Sequence, residues 1–385
     1  MYFAPSVSLC RNIAEAQRIV WQKFISEESM ELSTVDHNFA EKTLEQSNWD
    51  TYPLPCAPFR LYGAVFDDTF GITKIPATDA APMSDAVRWG ARCTDGVRLV
   101  FATDSKHLAL EVEAYQPMCT STAPYAASSG FSLSEVAEGK YYHVGNITPD
   151  RGMAEPYRYE KGLDLAGGEL HIYVLFFPTY SGVRSLTVKL DRGAKVAPAN
   201  IYRRKLPIVY YGSSITQGAC ASRCDNMYQA YVSERFGLDF MSFGFSGNAL
   251  AEDAVVEYLS RVPASVFVCD YDYNAPDAEY LEKTHRNLYL HYRKHHPKTP
   301  IVFMSAPNGS RSFGSEERAK IIRETCLFAR RNGDSNVYFL NGDRYFPSEV
   351  KEHCQIDGVH PTDLGFYFMY KTLARTVFRI LGKSE

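Results

Sequence analysis

The strongest constraint on the fold is a change in the period of the apolar residues near residue 200. From about residue 58 to 192 they recur at every second position. Leu108, Leu110, Val112 and Ala114 interleave with Ala109, Glu111, Glu113 and Tyr115, and Leu170, Ile172, Val174 and Phe176 repeat the pattern, as do Leu186, Val188 and Leu190. A period of two sends successive side chains to opposite faces, which predicts half-buried β-strands. Turn residues separate the runs, as in Thr94-Asp95-Gly96, Thr103-Asp104-Ser105 and Ala166-Gly167-Gly168, and no long helical pattern intervenes. Residues 51–200 therefore read as a β-sandwich of jelly-roll-like form. After Pro207 the pattern is different: short apolar runs at 208–211, 240–243, 266–269, 301–304 and 337–340 alternate with longer helical stretches. Such βα units predict a parallel sheet, so residues 201–385 read as a three-layer α/β/α domain. Ligands of such sheets bind outside the carboxyl ends of the strands, and the loops after these runs are where chemistry is expected.

Residues 1–50 fit neither pattern. A weak helical period through Ile13, Ala16, Ile19, Val20 and Phe24 predicts an N-terminal extension that is partly helical or poorly ordered. At 385 residues the chain is long enough for two domains with cores of their own, so no disulfide or metal is needed to hold it together. Apolar residues make up 45% and charged residues 22%, as in soluble globular proteins. No apolar run approaches the roughly 20 residues of a membrane helix, and no membrane partner is expected. The net charge of −4 and the absence of long basic runs argue against nucleic acid as a partner. The one basic cluster, Arg203-Arg204-Lys205, reads as a solvated linker beside the domain junction. Nine irregularly spaced cysteines fit a reducing compartment, and Arg11, Glu15, Arg18 and Lys23 interrupt the apolar segment a secretory signal would need. A cytoplasmic location is expected. Cys220 and Cys224 come nearest to a metal motif, but no second pair stands at ligand spacing, and they read as loop thiols.

The strand-end loops carry the reactive residue types. The first reads Gly212-Ser213-Ser214-Ile215-Thr216-Gln217-Gly218, where glycines let the backbone turn sharply and a serine can present both its hydroxyl and its N–H. Loops of this composition also bind phosphates or cap helices. The second ends in Gly244-Phe245-Ser246-Gly247-Asn248 and the third in Asp270-Tyr271-Asp272-Tyr273-Asn274-Ala275-Pro276. Near the C-terminus Asp357-Gly358-Val359-His360-Pro361 precedes a helical pattern through Leu364, Phe368, Leu373, Val377 and Ile380. Each element alone has an ordinary reading: a turn asparagine, a solvated carboxylate, a histidine near a helix start. Their joint occurrence in this order, at loops on one sheet edge, is hard to assign to chance.

In these blocks the chain resembles the SGNH or GDSL-like hydrolases, whose four blocks carry Ser, Gly, Asn and Asp-x-x-His. The matching positions are Ser214, Gly247, Asn274, Asp357 and His360, within residues 205–381. The resemblance departs at Ser213, where an Asp usually precedes the nucleophile, and in the third block, which lacks the common Gly-x-Asn-Asp form. Gly-Ser-Ser-Ile-Thr-Gln-Gly and Tyr-Asn-Ala-Pro are similar to a subgroup with an N-terminal β-domain marked Gly-x-Asp-Leu-Tyr. Gly162-Leu163-Asp164-Leu165 matches that mark, with Ala166 in the tyrosine position. The resemblance implies a flavodoxin-like fold for the second half and selects Ser214 rather than Ser213.

A serine hydroxyl is a weak nucleophile near neutral pH and needs a base within hydrogen-bond reach. His360 is the expected base and Asp357 its orienter, while the resemblance makes the Ser214 N–H, the Gly247 N–H and the Asn274 amide the oxyanion donors. The expected activity is hydrolysis of small acyl esters, chiefly acetyl, on a carbohydrate, with no cofactor and no metal. Twenty-six tyrosines could stack on sugar rings, although aromatics more often fill sandwich cores. An acyltransferase on the same site and a non-catalytic carbohydrate-binding protein are the alternatives, and a homo-oligomer is compatible with the sequence. The sandwich is expected to form one wall of the substrate cleft, with Gly162–Leu165 near the junction. On that reading a chain beginning near Tyr202 cleaves activated esters but discriminates poorly among sugars.

Overall fold

The computed structural model of the protein describes residues 35–36, 48–115, 120–152, 156–307 and 315–382. The helical pattern expected at 13–24 lies outside the described residues. The described residues from 48 onward belong to one compact unit.

The first half runs through β1 (Trp49–Pro53), β2 (Arg60–Tyr62), β3 (Val65–Asp67) and β4 (Gly71–Thr73), then α1 (Ala77–Ala80) and α2 (Asp85–Arg92). It continues with β5 (Arg98–Thr103), β6 (His107–Ala114), α3 (Tyr125–Ser128), β7 (Phe131–Ala137), β8 (Lys140–Ile147) and β9 (Tyr157–Asp164). Strands β10 (His171–Phe176), β11 (Val183–Asp191) and β12 (Val196–Ala197) complete it. Two antiparallel sheets result. One has the order β3-β4-β11-β6-β9 with β1 also on β11, and the other β12-β5-β10-β7-β8 with β2 also on β5. Their facing sides bury Leu108, Leu110 and Val112 of β6 and Leu186, Val188 and Leu190 of β11 against Leu99, Phe101, Leu133, Tyr173 and Leu175. The alternation read from the sequence marks this core.

Half-burial fails in the middle of the second sheet. Every residue of β5 is buried, as are the last four of β10, because these strands are covered on both sides. Val100, Ala102, Val174 and Phe176 leave the sandwich core and join a cluster with Ile208, Tyr210, Phe240 and Val268 of the second half. The helices α1 and α2 make a second junction: Ile75, Ala80, Met83, Val87 and Ala91 pack with Val209, Tyr211, Phe243 and Phe245. Ser84 starts α2 by accepting from Val87 N, and Arg92 stands in its last turn.

The second half contains β13 (Ile208–Gly212), α4 (Ser214–Gln217), α5 (Tyr228–Phe236), β14 (Phe240–Gly244), α6 (Asp253–Arg261) and β15 (Val266–Asp270). Then come α7 (Ala278–His295), β16 (Ile301–Met304), α8 (Ser315–Arg331), β17 (Val337–Leu340) and α9 (Asp363–Leu381). The five strands are parallel in the order β14-β13-β15-β16-β17. One face packs on α5 and α9 through Tyr228, Val232, Phe366, Met369 and Leu373, and the other on α6, α7 and α8 through Val255, Leu259, Leu281, Leu288 and Ile322. No helix among the described residues is long and apolar enough to cross a membrane.

Gly162–Leu165 differs from expectation. It ends β9, at the edge of the sheet remote from the parallel one, paired with β6 through Ala109↔Gly162 and His107↔Asp164. Leu163 and Leu165 pack on the sandwich core, not on the junction.

Candidate active site

The two serines after β13 have different surroundings. Ser213 is the N-cap of α4, its hydroxyl accepting from Ile215 N at 3.2 Å. Ser214 is the first helical residue, and its Oγ lies 2.8 Å from His360 Nε2. Gly212 permits this turn: a Cβ there would stand 1.8 Å from Asp270 Oδ1 and 2.4 Å from Thr216 Oγ1.

His360 is held on its far side. Its Nδ1 lies 2.6 Å from Asp357 Oδ2, while Asp357 Oδ1 accepts from the backbone N–H of His360 at 2.8 Å and of Val359 at 3.0 Å. Gly358 makes the tight return at φ +82°. Partial burial alone would raise the Asp357 pKa, but the His360 backbone and ring and the Val359 N–H outweigh it and hold the carboxyl below its ordinary value. An ionised Asp357 takes the Nδ1 proton as its donor and leaves the Nε2 lone pair toward Ser214.

Gly247 and Asn274 follow β14 and β15, the two neighbours of the Ser214 strand, so their loops flank it. Gly247 has φ +70° with open space where a Cβ would be, so backbone conformation favours glycine there. Asn274 Oδ1 accepts from Ala249 N at 3.1 Å, which fixes the orientation of the amide and ties the second loop to the third.

Two further residues were not singled out from the sequence. Asp270 ends β15 and accepts from Thr216 Oγ1 at 2.5 Å and Tyr228 OH at 3.1 Å, with Ser213 N at 3.4 Å. A neighbouring strand thus places a carboxylate beside the nucleophile turn. Burial raises the Asp270 pKa to about 7, Thr216 lowers it and the Asp272 charge adds to the rise. The signal was an Asp closing an otherwise apolar run. Gln217 Oε1 accepts from Ser246 N at 2.9 Å and its Nε2 donates to Thr179 O of the sandwich at 3.2 Å.

Other sandwich residues border the site. Tyr180 packs with Ala219 and Cys220 of the nucleophile loop, and burial pushes the Cys220 thiol pKa up. Cys224 is buried and donates its thiol to Gly130 O at 2.9 Å. Among the described residues no group of three or more His, Cys, Asp or Glu side chains stands together as a metal site.

Residues 205–379 match the GDSL-like Lipase/Acylhydrolase family, and residues 55–196 match the GxDLY family, the N-terminus of SGNH-hydrolase-type esterases. A crystal structure of a Bacteroides ovatus protein assigned as a GDSL-like lipase is 26% identical, covering 86% of this chain and 98% of its own, with a TM-score of 0.76. The salicylyl-acyltransferase SsfX3 from a tetracycline biosynthetic pathway is 20% identical, covering 87% and 98%, with a TM-score of 0.70. An acetyl xylan esterase from the rumen bacterium Butyrivibrio proteoclasticus is 11% identical, covering 88% and 100%, with a TM-score of 0.57. These last two likenesses are of fold alone. No curated protein matches. From both halves of its sequence, this chain belongs to the SGNH/GDSL-like superfamily of carboxylic ester hydrolases, in the form that carries an N-terminal GxDLY domain.

Proposed function

We propose that the protein removes small acyl groups, chiefly acetyl, from sugar esters through an acyl-enzyme on Ser214. The reading is carried by one observation, the continuous relay from Ser214 Oγ to His360 Nε2 at 2.8 Å and from His360 Nδ1 to Asp357 at 2.6 Å. As Ser214 Oγ attacks the ester carbonyl, its proton passes to Nε2, and Asp357 stabilises the imidazolium. The carbonyl oxygen becomes an oxyanion, facing the Ser214 N–H, the Gly247 N–H and the Asn274 amide. Collapse breaks the ester C–O bond, His360 returns the proton to the leaving sugar oxygen, and water repeats the sequence to free the acid and regenerate Ser214. The acyl and sugar assignment draws support from the shared fold with an acetyl xylan esterase. The packing of Tyr180 on Ala219 and Cys220, and the bond from Gln217 to Thr179 O, support a cleft walled in part by the sandwich.

The test is acetate release from a panel of acetylated mono- and oligosaccharides, with Ser214→Ala as the blank. Release above the blank from at least one sugar is expected; none from any sugar refutes the substrate class. A second reading, acyl transfer, is favoured by the fold shared with a salicylyl-acyltransferase. Adding alcohol acceptors to the same assay separates the two, since transfer yields a new ester in place of free acid. We also place the protein in a reducing compartment, the cytoplasm, a reading supported by seven free cysteines among the described residues.

A further inference from the structure

Strand β14 is the edge of the parallel sheet, and its outward backbone groups have no strand to pair with. They are buried, so each needs a partner. At the two ends of β14 the first half of the chain supplies partners as charged side chains. Arg98, fully buried, donates from Nη1 to Phe240 O at 3.0 Å at the start of β14. At its end, Lys74 Nζ donates to Gly244 O at 3.0 Å, while Asp95 Oδ2 accepts from Gly244 N at 3.4 Å. Lys74 and Asp95 also pair with each other, and both are fully buried.

Gly244 stands three residues before Gly247, and the residues between are held as well. The Phe245 ring lies 5.0 Å from Lys74 Nζ, and a Cβ on Gly90 of α2 would press on it at 2.8 Å. On the inner side Phe245 N donates to Gly212 O at 2.9 Å, fixing the loop to the strand that carries Ser214. A buried ion pair adds little net stability compared with an apolar pair of similar volume. Its place at the foot of this loop is better explained by position than by stability.

We propose that Lys74 and Asp95, with the α2 surface at Gly90, are positioning residues that set the Phe245–Gly247 loop and so aim the Gly247 N–H at the oxyanion. The N-terminal half is then part of the catalytic scaffold. This rests on the reading of Gly247 as an oxyanion donor.

The test compares two neutral pairs in the full chain with 4-nitrophenyl acetate. Lys74→Met/Asp95→Asn keeps an acceptor for Gly244 N but removes the donor to Gly244 O; Lys74→Gln/Asp95→Asn restores a donor. Since deleting a whole oxyanion donor costs about 10²–10³ in turnover, misaiming one is expected to lower kcat by about 10–100-fold in the Met pair, with KM within about threefold. The Gln pair is expected to recover most of the loss. Binding of a trifluoromethyl ketone, which forms the tetrahedral adduct, should weaken in parallel with kcat. A folded Met pair with wild-type kcat, or a folded Gln pair that loses as much as the Met pair, overturns the proposal. If the Met pair does not fold, Gly90→Ala decides, since it removes a helix-weakening glycine while pushing on Phe245: reduced kcat supports the proposal and wild-type kcat overturns it. Asn274→Ala run alongside separates the two failures. If it too keeps full turnover, the oxyanion reading has failed; if it alone loses turnover, the positioning role has failed.

Discussion

Asp270 and Gly212, on adjacent strands, leave no room for each other to change: a Cβ on Gly212 would overlap the Asp270 carboxylate at 1.8 Å. The same carboxylate accepts the Thr216 hydroxyl two residues beyond Ser214, so the nucleophile turn is built around a buried acid. Burial raises that acid to about 7 from an ordinary 3.8, with Thr216 opposing the rise and Asp272 adding to it. The folded protein therefore keeps a proton that the unfolded chain has released. Stability should fall as pH rises from about 4 to about 7, by up to about 1.4 kcal/mol per pH unit from this group, and level off above. Asp272, raised to about 6 first by burial, adds a slope of the same sign. The variant Asp270→Asn isolates the first contribution. Measured by urea unfolding, its stability relative to wild type should improve steadily between pH 4 and 7 and then stay constant; a difference independent of pH contradicts the assignment.

The two serines should separate cleanly on substitution. Ser214→Ala should abolish ester cleavage with the fold intact, a loss on the order of 10⁶ when a comparable serine-protease nucleophile is removed. Ser213→Ala removes only the cap on Ile215 N, so it should cost about 0.5–2 kcal/mol of stability and keep substantial turnover. A fluorophosphonate should label Ser214, as located by mass spectrometry. Equal losses at both serines, or labelling elsewhere, would leave the assignment without support.

How much of this was legible in the sequence depends on the range of the interactions. Alternation in β6 and β11 and the apolar runs of β13 to β17 report local burial, and both kinds of sheet could be read from them. The blocks holding Ser214, Gly247, Asn274, Asp357 and His360 could be read because each is short and sits at a strand end. The burial of all of β5 and of the last four residues of β10 could not, because it arises when these strands are covered by residues of the second half. Lys74, Asp95 and Arg98 look like turn and strand-end charges in sequence. Their partners are backbone atoms of Phe240 and Gly244, which carry no side-chain signature.

Asp357→Asn should keep the histidine in place but remove the charge that fixes its tautomer, and turnover should fall by about 10⁴, as in the corresponding serine-protease change. In the wild type, Asp357 is held below its ordinary value, burial notwithstanding, by the His360 and Val359 N–H groups and the ring. It stays ionised from pH 5 to 8 and contributes no step there. Wild-type turnover in Asp357→Asn would count against Asp357 as the group that orients His360.

Asn274→Ala should lower kcat by roughly 10²–10³ with a smaller change in KM, because an oxyanion donor acts on charge that develops only in the transition state. It also removes the acceptor for Ala249 N, so circular dichroism and thermal melting must show the second loop's strand unperturbed. Unchanged turnover would reduce Asn274 to a turn residue.

A chain beginning at Tyr202 should fail to fold as a soluble monomer, contrary to what two independent domains would allow. Val100, Val174 and Phe176 pack on the α5 and α9 side of the parallel sheet, and Ile75, Met83 and Val87 on the other, so deletion strips apolar cover from both faces. Each apolar side chain of the second half that this uncovers costs up to roughly 1.5–3 kcal/mol, and a few such losses match the net stability of a typical domain. Deletion also removes Arg98, Lys74 and Asp95, leaving the outward groups of β14 at an open edge, a template for aggregation. Sedimentation and circular dichroism of the truncated chain check this directly. Aggregated or unfolded material is expected, whereas a folded monomer that cleaves 4-nitrophenyl acetate at the full-length rate would show that the catalytic half stands alone and would also remove the basis for a positioning role of the N-terminal half.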